Sequence, residues 1–283
     1  MRSGRRTGLK AVFCVALTAA LACSPSDEEI DIRDMQRQAV QREYGISSSE
    51  MVEMRDGSRV LFFGDSITLG GVSDEGYVTL VARALRALYP DRDIEVMASG
   101  VEGDKVTDLL LRLQDDVLSR QPTHVVIYVG VNDVGSLGPG EAALARGERT
   151  YAAGLEDLVV RIKETGAWVM LCTPGVIDED VAVQSRTNRA LERYAEAARQ
   201  VAAEQDTGLC DLRREFTEHL AIRNAGGERR GILTVDGLHL NSAGNRLVAG
   251  TMLRALVTMA TPPPVPHSGS GPPPVSPSAD DNS

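Results

Sequence analysis

The chain has 283 residues, and 30 Lys+Arg against 40 Asp+Glu give it a formal net charge of −10. With no basic patch interleaved with aromatics, that acidity excludes nucleic acid and other polyanions as partners, because neutralising phosphates requires clustered cations. The length suffices for one well-buried domain once the polar ends are set aside.

Residues 1–22 read as a signal peptide. Arg2, Arg5, Arg6 and Lys10 form a basic n-region, and Ala11 to Ala22 is apolar but too short to remain as a membrane span. Ala20-Leu21-Ala22 has the small-x-small form of a cleavage site, and Cys23 follows it directly. The arrangement is similar to bacterial lipoprotein signals, in which that cysteine is acylated. The expectation is therefore an exported protein, membrane-anchored through Cys23, with simple secretion as the alternative. Arg5-Arg6 also bears a partial likeness to a twin-arginine export signal. Cleavage removes four basic and no acidic residues, leaving 26 against 40, a net charge of −14. Residues 23–58 are polar and acidic and read as a tether or partly helical lead-in. Residues 59–258 form the folded domain, and residues 259–283, rich in proline, form a disordered tail.

Within the domain, short apolar β-type runs alternate with longer helical patterns. Strands are expected at Val60–Phe63, Ile94–Ala98, His124–Val129, Trp168–Cys172 and Gly208–Leu212. Helices are expected at Tyr77–Leu88, Val106–Ser119, Glu141–Thr165, Val183–Glu204 and from Ser242 to Val257. In the second helix, Leu109, Leu110, Leu113, Val117 and Leu118 recur at three- and four-residue spacing, as one buried face requires. Near-continuous apolar strands alternating with helices predict a five-stranded parallel sheet covered on both faces. Ligands bind such open sheets beyond the carboxyl ends of the strands.

The chemistry-bearing residues fall on that rim. Ser66 follows the first strand, Gly103 the second, and Asn132 the third. Asp236 and His239 lie in the loop that leads to the last helix. A serine hydroxyl becomes an effective nucleophile when a base takes its proton, and a carboxylate fixes the imidazole that serves as that base. Of the four histidines, His124 opens a strand and reads as structural, His219 lies in a polar helical stretch, and His267 is in the tail. His239, three residues after Asp236, is the base that fits. Hydrolysis through a tetrahedral oxyanion also needs donors; the backbone N–H groups of Ser66 and Gly103 and the Asn132 amide are the candidates. The acidic run Asp178-Glu179-Asp180 reads as a solvated loop. No Cys-x-x-Cys or histidine pair at helical spacing suggests a metal site. Cys172 and Cys210 lie on strands, as two buried thiols or, in an oxidising compartment, a disulfide.

Gly64-Asp65-Ser66-Ile-Thr-Leu-Gly70, Gly103, Gly130-x-Asn132-Asp133 and Asp236-x-x-His239 together resemble the four sequence blocks of the SGNH, or GDSL-like, hydrolases, from about Val60 to Val257. The resemblance implies a flavodoxin-like three-layer α/β/α sandwich, esterase or lipase-type activity and no cofactor. It assigns Ser66, Asp236 and His239 as the catalytic triad and Ser66, Gly103 and Asn132 as oxyanion donors. One departure is Ala98, where many members carry asparagine. The G-x-S-x-G elbow of α/β-hydrolases does not match, because no glycine stands two residues after Ser66.

The leading expectation is an exported serine esterase acting on short-chain or carbohydrate O-acyl esters through an acyl-enzyme. Loops Gly70–Gly76, Val134–Gly140 and Pro174–Asp180 are too short for a substantial lid, which favours an open site over interfacial lipolysis. A lysophospholipase- or thioesterase-like acylhydrolase, an acyltransferase with the same triad, and a non-catalytic surface binding lipoprotein are the alternatives. Nothing in the sequence assigns an oligomeric state.

Overall fold

A computed structural model describes residues 14–15 and 27–258. In chain order the elements are β1 (Cys14–Val15), α1 (Asp27–Tyr44), β2 (Ser58–Gly64), α2 (Ser66–Gly70), α3 (Tyr77–Leu88), β3 (Ile94–Gly100) and α4 (Val106–Asp116). A single 3₁₀ turn, Leu118–Arg120, leads to β4 (His124–Tyr128), α5 (Val131–Gly135), α6 (Glu141–Lys163) and β5 (Trp168–Cys172). Then come α7 (Arg186–Glu204), β6 (Gly208–Cys210), α8 (Leu212–Arg223) and α9 (Ser242–Thr258).

The sheet runs β1-β3-β2-β4-β5-β6. Its five long-range strands, β2 to β6, are all parallel, as the apolar runs predict. β1 adds a two-residue antiparallel pairing on the outer edge of β3, inside the segment read as signal peptide. The helices pack in two groups, α3 with α1 and α9, and α6 with α4 and α7, giving an α/β/α sandwich. Val60, Leu61, Phe62 and Phe63 are all buried, which is why β2 reads as a continuous apolar run and not as an alternating one. β2 pairs with β3 on one side and β4 on the other, so the chain reverses direction across the sheet at its carboxyl end. That crevice is where open α/β sheets bind ligands.

Two boundary differences from the sequence expectation have local causes. The last strand ends at Cys210 because the Asp211 side chain accepts from Arg214 N and caps α8, making Leu212 a helical residue. α7 starts at Arg186, not Val183, because Ser185 caps it by accepting from Asn188 N. The segment read as a tether or partly helical lead-in contains an 18-residue helix, α1, whose Val40 and Tyr44 pack on the core. Cys172 and Cys210 are free, buried thiols in register on β5 and β6. Burial, reinforced by the neighbouring Cys210 thiol, pushes the Cys172 thiol well above its usual range. Cys23, His267 and the proline-rich tail lie outside the described residues.

Candidate active site

Ser66 is the first residue of α2, directly after β2, and its N–H is one of the donors a helix start leaves without an intrahelical partner. The turn is tight: a Cβ on Gly64 would overlap the carbonyl of Tyr128 and the hydroxyl of Thr68. Asp65, fully buried, caps α2 by accepting from Ile67 N at 2.9 Å. Burial drives its carboxyl up to about 7, against the lowering effect of the Ile67 N–H.

Ser66 Oγ lies 3.0 Å from His239 Nε2, and His239 Nδ1 lies 2.7 Å from Asp236 Oδ2. The other Asp236 oxygen accepts from the backbone N–H groups of Leu238 at 2.9 Å and His239 at 2.8 Å. Burial raises the Asp236 carboxyl, but the His239 ring and these two N–H groups outweigh it and bring it down to about 2. Asp236 is therefore ionised at neutral pH. With Nδ1–H donating to Asp236, Nε2 is left to accept from the serine hydroxyl. The side chains of the Asp–His pair are about half exposed, so water reaches the site.

Asn132 Nδ2 donates to Asp104 O at 3.0 Å and lies 3.5 Å from Asp65 Oδ2. It thus bridges the residue after Gly103 and the residue before Ser66. Gly103 is exposed and has φ +79°; a Cβ there would meet nothing within 4 Å, so the left-handed backbone is what calls for glycine. Ser66, Asp236 and His239 come into contact, and Asn132 links them to the turn after Gly103, so the residues expected at the rim lie together; Cys23, the expected lipidation residue, lies outside the described residues.

Two supporting residues escape a motif reading. Arg112 on α4 is buried and donates to Gly64 O at 2.7 Å, Asp104 Oδ2 at 2.7 Å, Ser99 Oγ at 2.6 Å and Asp116 Oδ2 at 3.0 Å. Its guanidinium carbon sits 4.4 Å from the centroid of the Phe63 ring. One side chain thereby ties the turn before Ser66 to the turn after Gly103. Glu179 is the second: the acidic run read as a solvated loop has its middle residue wholly buried. Among the described residues, the other two histidines, His124 and His219, lie on other elements. His124 is buried against Trp168, with Nδ1 2.8 Å from Thr123 Oγ1, and burial lowers it to about 4. His219 is on α8.

The model of the GDSL-like Lipase/Acylhydrolase family matches residues 62–247. An acetylxylan esterase of Geobacillus stearothermophilus is 28% identical over 220 residues, covering 72% of this chain and 96% of the relative. Its crystal structure superposes with a TM-score of 0.61, and its catalytic mutants replace a serine, an aspartate and a histidine, the last two three residues apart. The structure of another acetyl xylan esterase, AlAXEase, is 35% identical with a TM-score of 0.63, covering 70% of this chain and all of that one. A GDSL esterase/lipase of Arabidopsis thaliana is 26% identical over 67% of this chain and 82% of the relative. With the family model spanning most of the domain and the same three-layer fold in its neighbours, the chain belongs to the GDSL-like lipase/acylhydrolase, or SGNH, family and is a carboxylic ester hydrolase.

Proposed function

We propose that this protein is an exported esterase that removes short acyl groups, acetyl above all, from carbohydrate hydroxyls. Ser66 is the nucleophile, His239 the general base and Asp236 the carboxylate that holds the imidazole. The observation that carries the reading is the continuous contact Ser66 Oγ–His239 Nε2–Asp236, at 3.0 and 2.7 Å. His239 takes the hydroxyl proton as Ser66 attacks the ester carbonyl, then returns it to the departing sugar oxygen. Water, activated by the same imidazole, releases the acyl group. The N–H groups of Ser66 and Gly103 and one Asn132 amide hydrogen receive the oxyanion. The contact with Asp65 Oδ2, long at 3.5 Å, is the weaker of the two that Asn132 Nδ2 makes and the one its hydrogen would exchange for the oxyanion.

The substrate class rests on the names of the acetylxylan esterases that this chain resembles and on the short loops around Ser66. Export and anchoring rest on the basic n-region, the apolar run and Cys23.

The test is turnover of p-nitrophenyl esters from acetyl to palmitoyl, and of acetylated xylo-oligosaccharide, by wild type and Ser66→Ala. The expected result is a preference for acetyl and a loss of roughly 10³-fold or more in the variant. A preference for long chains would replace the deacetylase reading with a lipase-like one. Full activity in Ser66→Ala would remove the serine mechanism.

A further inference from the structure

The loop that carries Asp236 and His239 has little regular structure of its own, yet it delivers two side chains to within hydrogen-bond distance of their partners. Among the described residues, a single isolated bridge, Thr234 to Leu240, is its β pairing. What organises it lies on another segment. Glu179, between β5 and α7, is wholly buried, and its carboxylate faces the loop. Oε2 accepts from Ile232 N at 2.8 Å, and Oε1 accepts from Leu233 N at 2.8 Å, Thr234 N at 2.5 Å and Thr234 Oγ1 at 2.6 Å. Three successive backbone N–H groups converging on one anion form a nest, a concavity that selects negative charge. Among the described residues, no ion pair involves Glu179. Its charge is met by neutral donors from the loop alone.

The contacts pass directly to the acid–base pair. Thr234 Oγ1, which donates to Glu179, accepts from Gly237 N at 3.1 Å, and Gly237 O accepts from Asp178 N at 2.8 Å. Gly237 is the residue between Asp236 and Leu238. Val235 N donates to His239 O at 2.8 Å, closing the loop on itself. Glu179 is fixed in turn by Glu179 N donating to Arg229 O at 3.0 Å and by Asn224 Nδ2 donating to Glu179 O at 2.8 Å.

We propose that Glu179 is a positioning residue: its buried carboxylate, acting as the anchor of the 232–234 nest, sets the place of Asp236 and His239 relative to Ser66. The proposal rests on Asp236 and His239 being the acid–base pair. Glu179 does not touch the reacting atoms. Its effect is on geometry, and misplacing a catalytic group by about 1 Å costs about 10²-fold in rate.

Glu179→Gln keeps the volume but turns one acceptor oxygen into an NH₂ that must face a backbone donor. Thr234→Val removes the hydroxyl that links Glu179 to Gly237. Both are compared with wild type and Asp236→Asn by thermal melting, by kcat and KM on p-nitrophenyl acetate, and by proton NMR of the low-field resonance that Asp236→Asn abolishes. The expected result for folded Glu179→Gln is a kcat lowered about tenfold to a hundredfold, KM within about twofold, and that resonance shifted or lost. Thr234→Val is expected to show the same pattern at smaller size, and it carries the test alone if Glu179→Gln does not fold. Wild-type kcat in a folded variant, or a lowered kcat with the resonance unmoved, overturns the proposal while leaving the triad intact. Full activity in Asp236→Asn overturns the acid–base reading itself, and the proposal with it.

Discussion

Asp65 is a carboxylate that the fold keeps at a cost. A buried group raised to about 7 binds a proton more readily in the folded chain than in the unfolded one, where its ordinary value is 3.8. Its contribution to stability therefore falls as pH rises through the window from about 4 to 7. Asp65→Asn keeps an oxygen to accept from Ile67 N and discards the buried charge. The variant is expected to be more stable than wild type at pH 8, by on the order of a few kcal/mol, with the gap much smaller at pH 5 and closing towards the ordinary value of 3.8. Equal melting differences at both pH values would contradict this account. Asp236 has the opposite sign. Held at about 2, it favours the folded state above its ordinary value and loses that effect only as pH falls below about 4. Its exposure makes the contribution small. Asn132 belongs to the same scale. Asn132→Ala is expected to lower kcat about 10²–10³-fold with little change in KM, as loss of one oxyanion donor does elsewhere. A change confined to KM would assign Asn132 to substrate binding instead.

At the scale of elements, α4 shows how sequence legibility ends. Leu109, Leu113 and Val117 are buried, as their spacing indicates, and the helix is where the periodicity puts it. Leu110 is only partly covered, however, and Leu111 is one of the most exposed apolar residues. The rest of the inward stripe is Arg112 and Asp116, three and seven residues after Leu109. A hydrophobicity pattern counts such residues as outward-facing, so the network beneath Ser66 is invisible to it. Arg112→Met would leave Asp104 and Asp116 without their shared cation. The expected cost is about 3–5 kcal/mol in unfolding free energy, with loss of esterase activity, measured by denaturant melts and turnover. A variant as stable as wild type would show that the carboxylates had found other partners. α8 is a different kind of omission. Leu212, Phe216 and Leu220 recur at four-residue spacing behind the capping Asp211, so the signal was present, but Leu212 also extends the apolar run of β6. The positions of Ser66, Gly103 and Asn132 were legible because each is a motif residue just past a strand end, and Asp236 and His239 because of their three-residue spacing ahead of α9. Glu179 was not, since three adjacent acids read as a solvated loop until the backbone that one of them binds is placed 50 or so residues downstream.

For the whole molecule, the separation of functions along the chain matters most. The expectation that Cys23 anchors the mature protein predicts that intact-mass analysis of wild type finds a lipid adduct and that Cys23→Ser lacks it. An unmodified wild type would make the protein simply secreted. Ser66 and His239 stand 173 residues apart, and the loop between α8 and α9 that carries His239 is anchored by contacts with earlier segments as well as by its own bonds. Ser242 Oγ donates to Glu75 at 2.5 Å and Tyr77 N donates to Asn245 Oδ1 at 2.9 Å, joining the start of α9 to the start of α3. Such distant pairings carry the full entropy of closing a long loop and form late. A nascent chain thus carries Ser66 long before His239, and the Ser66–His239 contact on which the proposed mechanism depends forms only once the segment before α9 is in place, a latency supplied by topology.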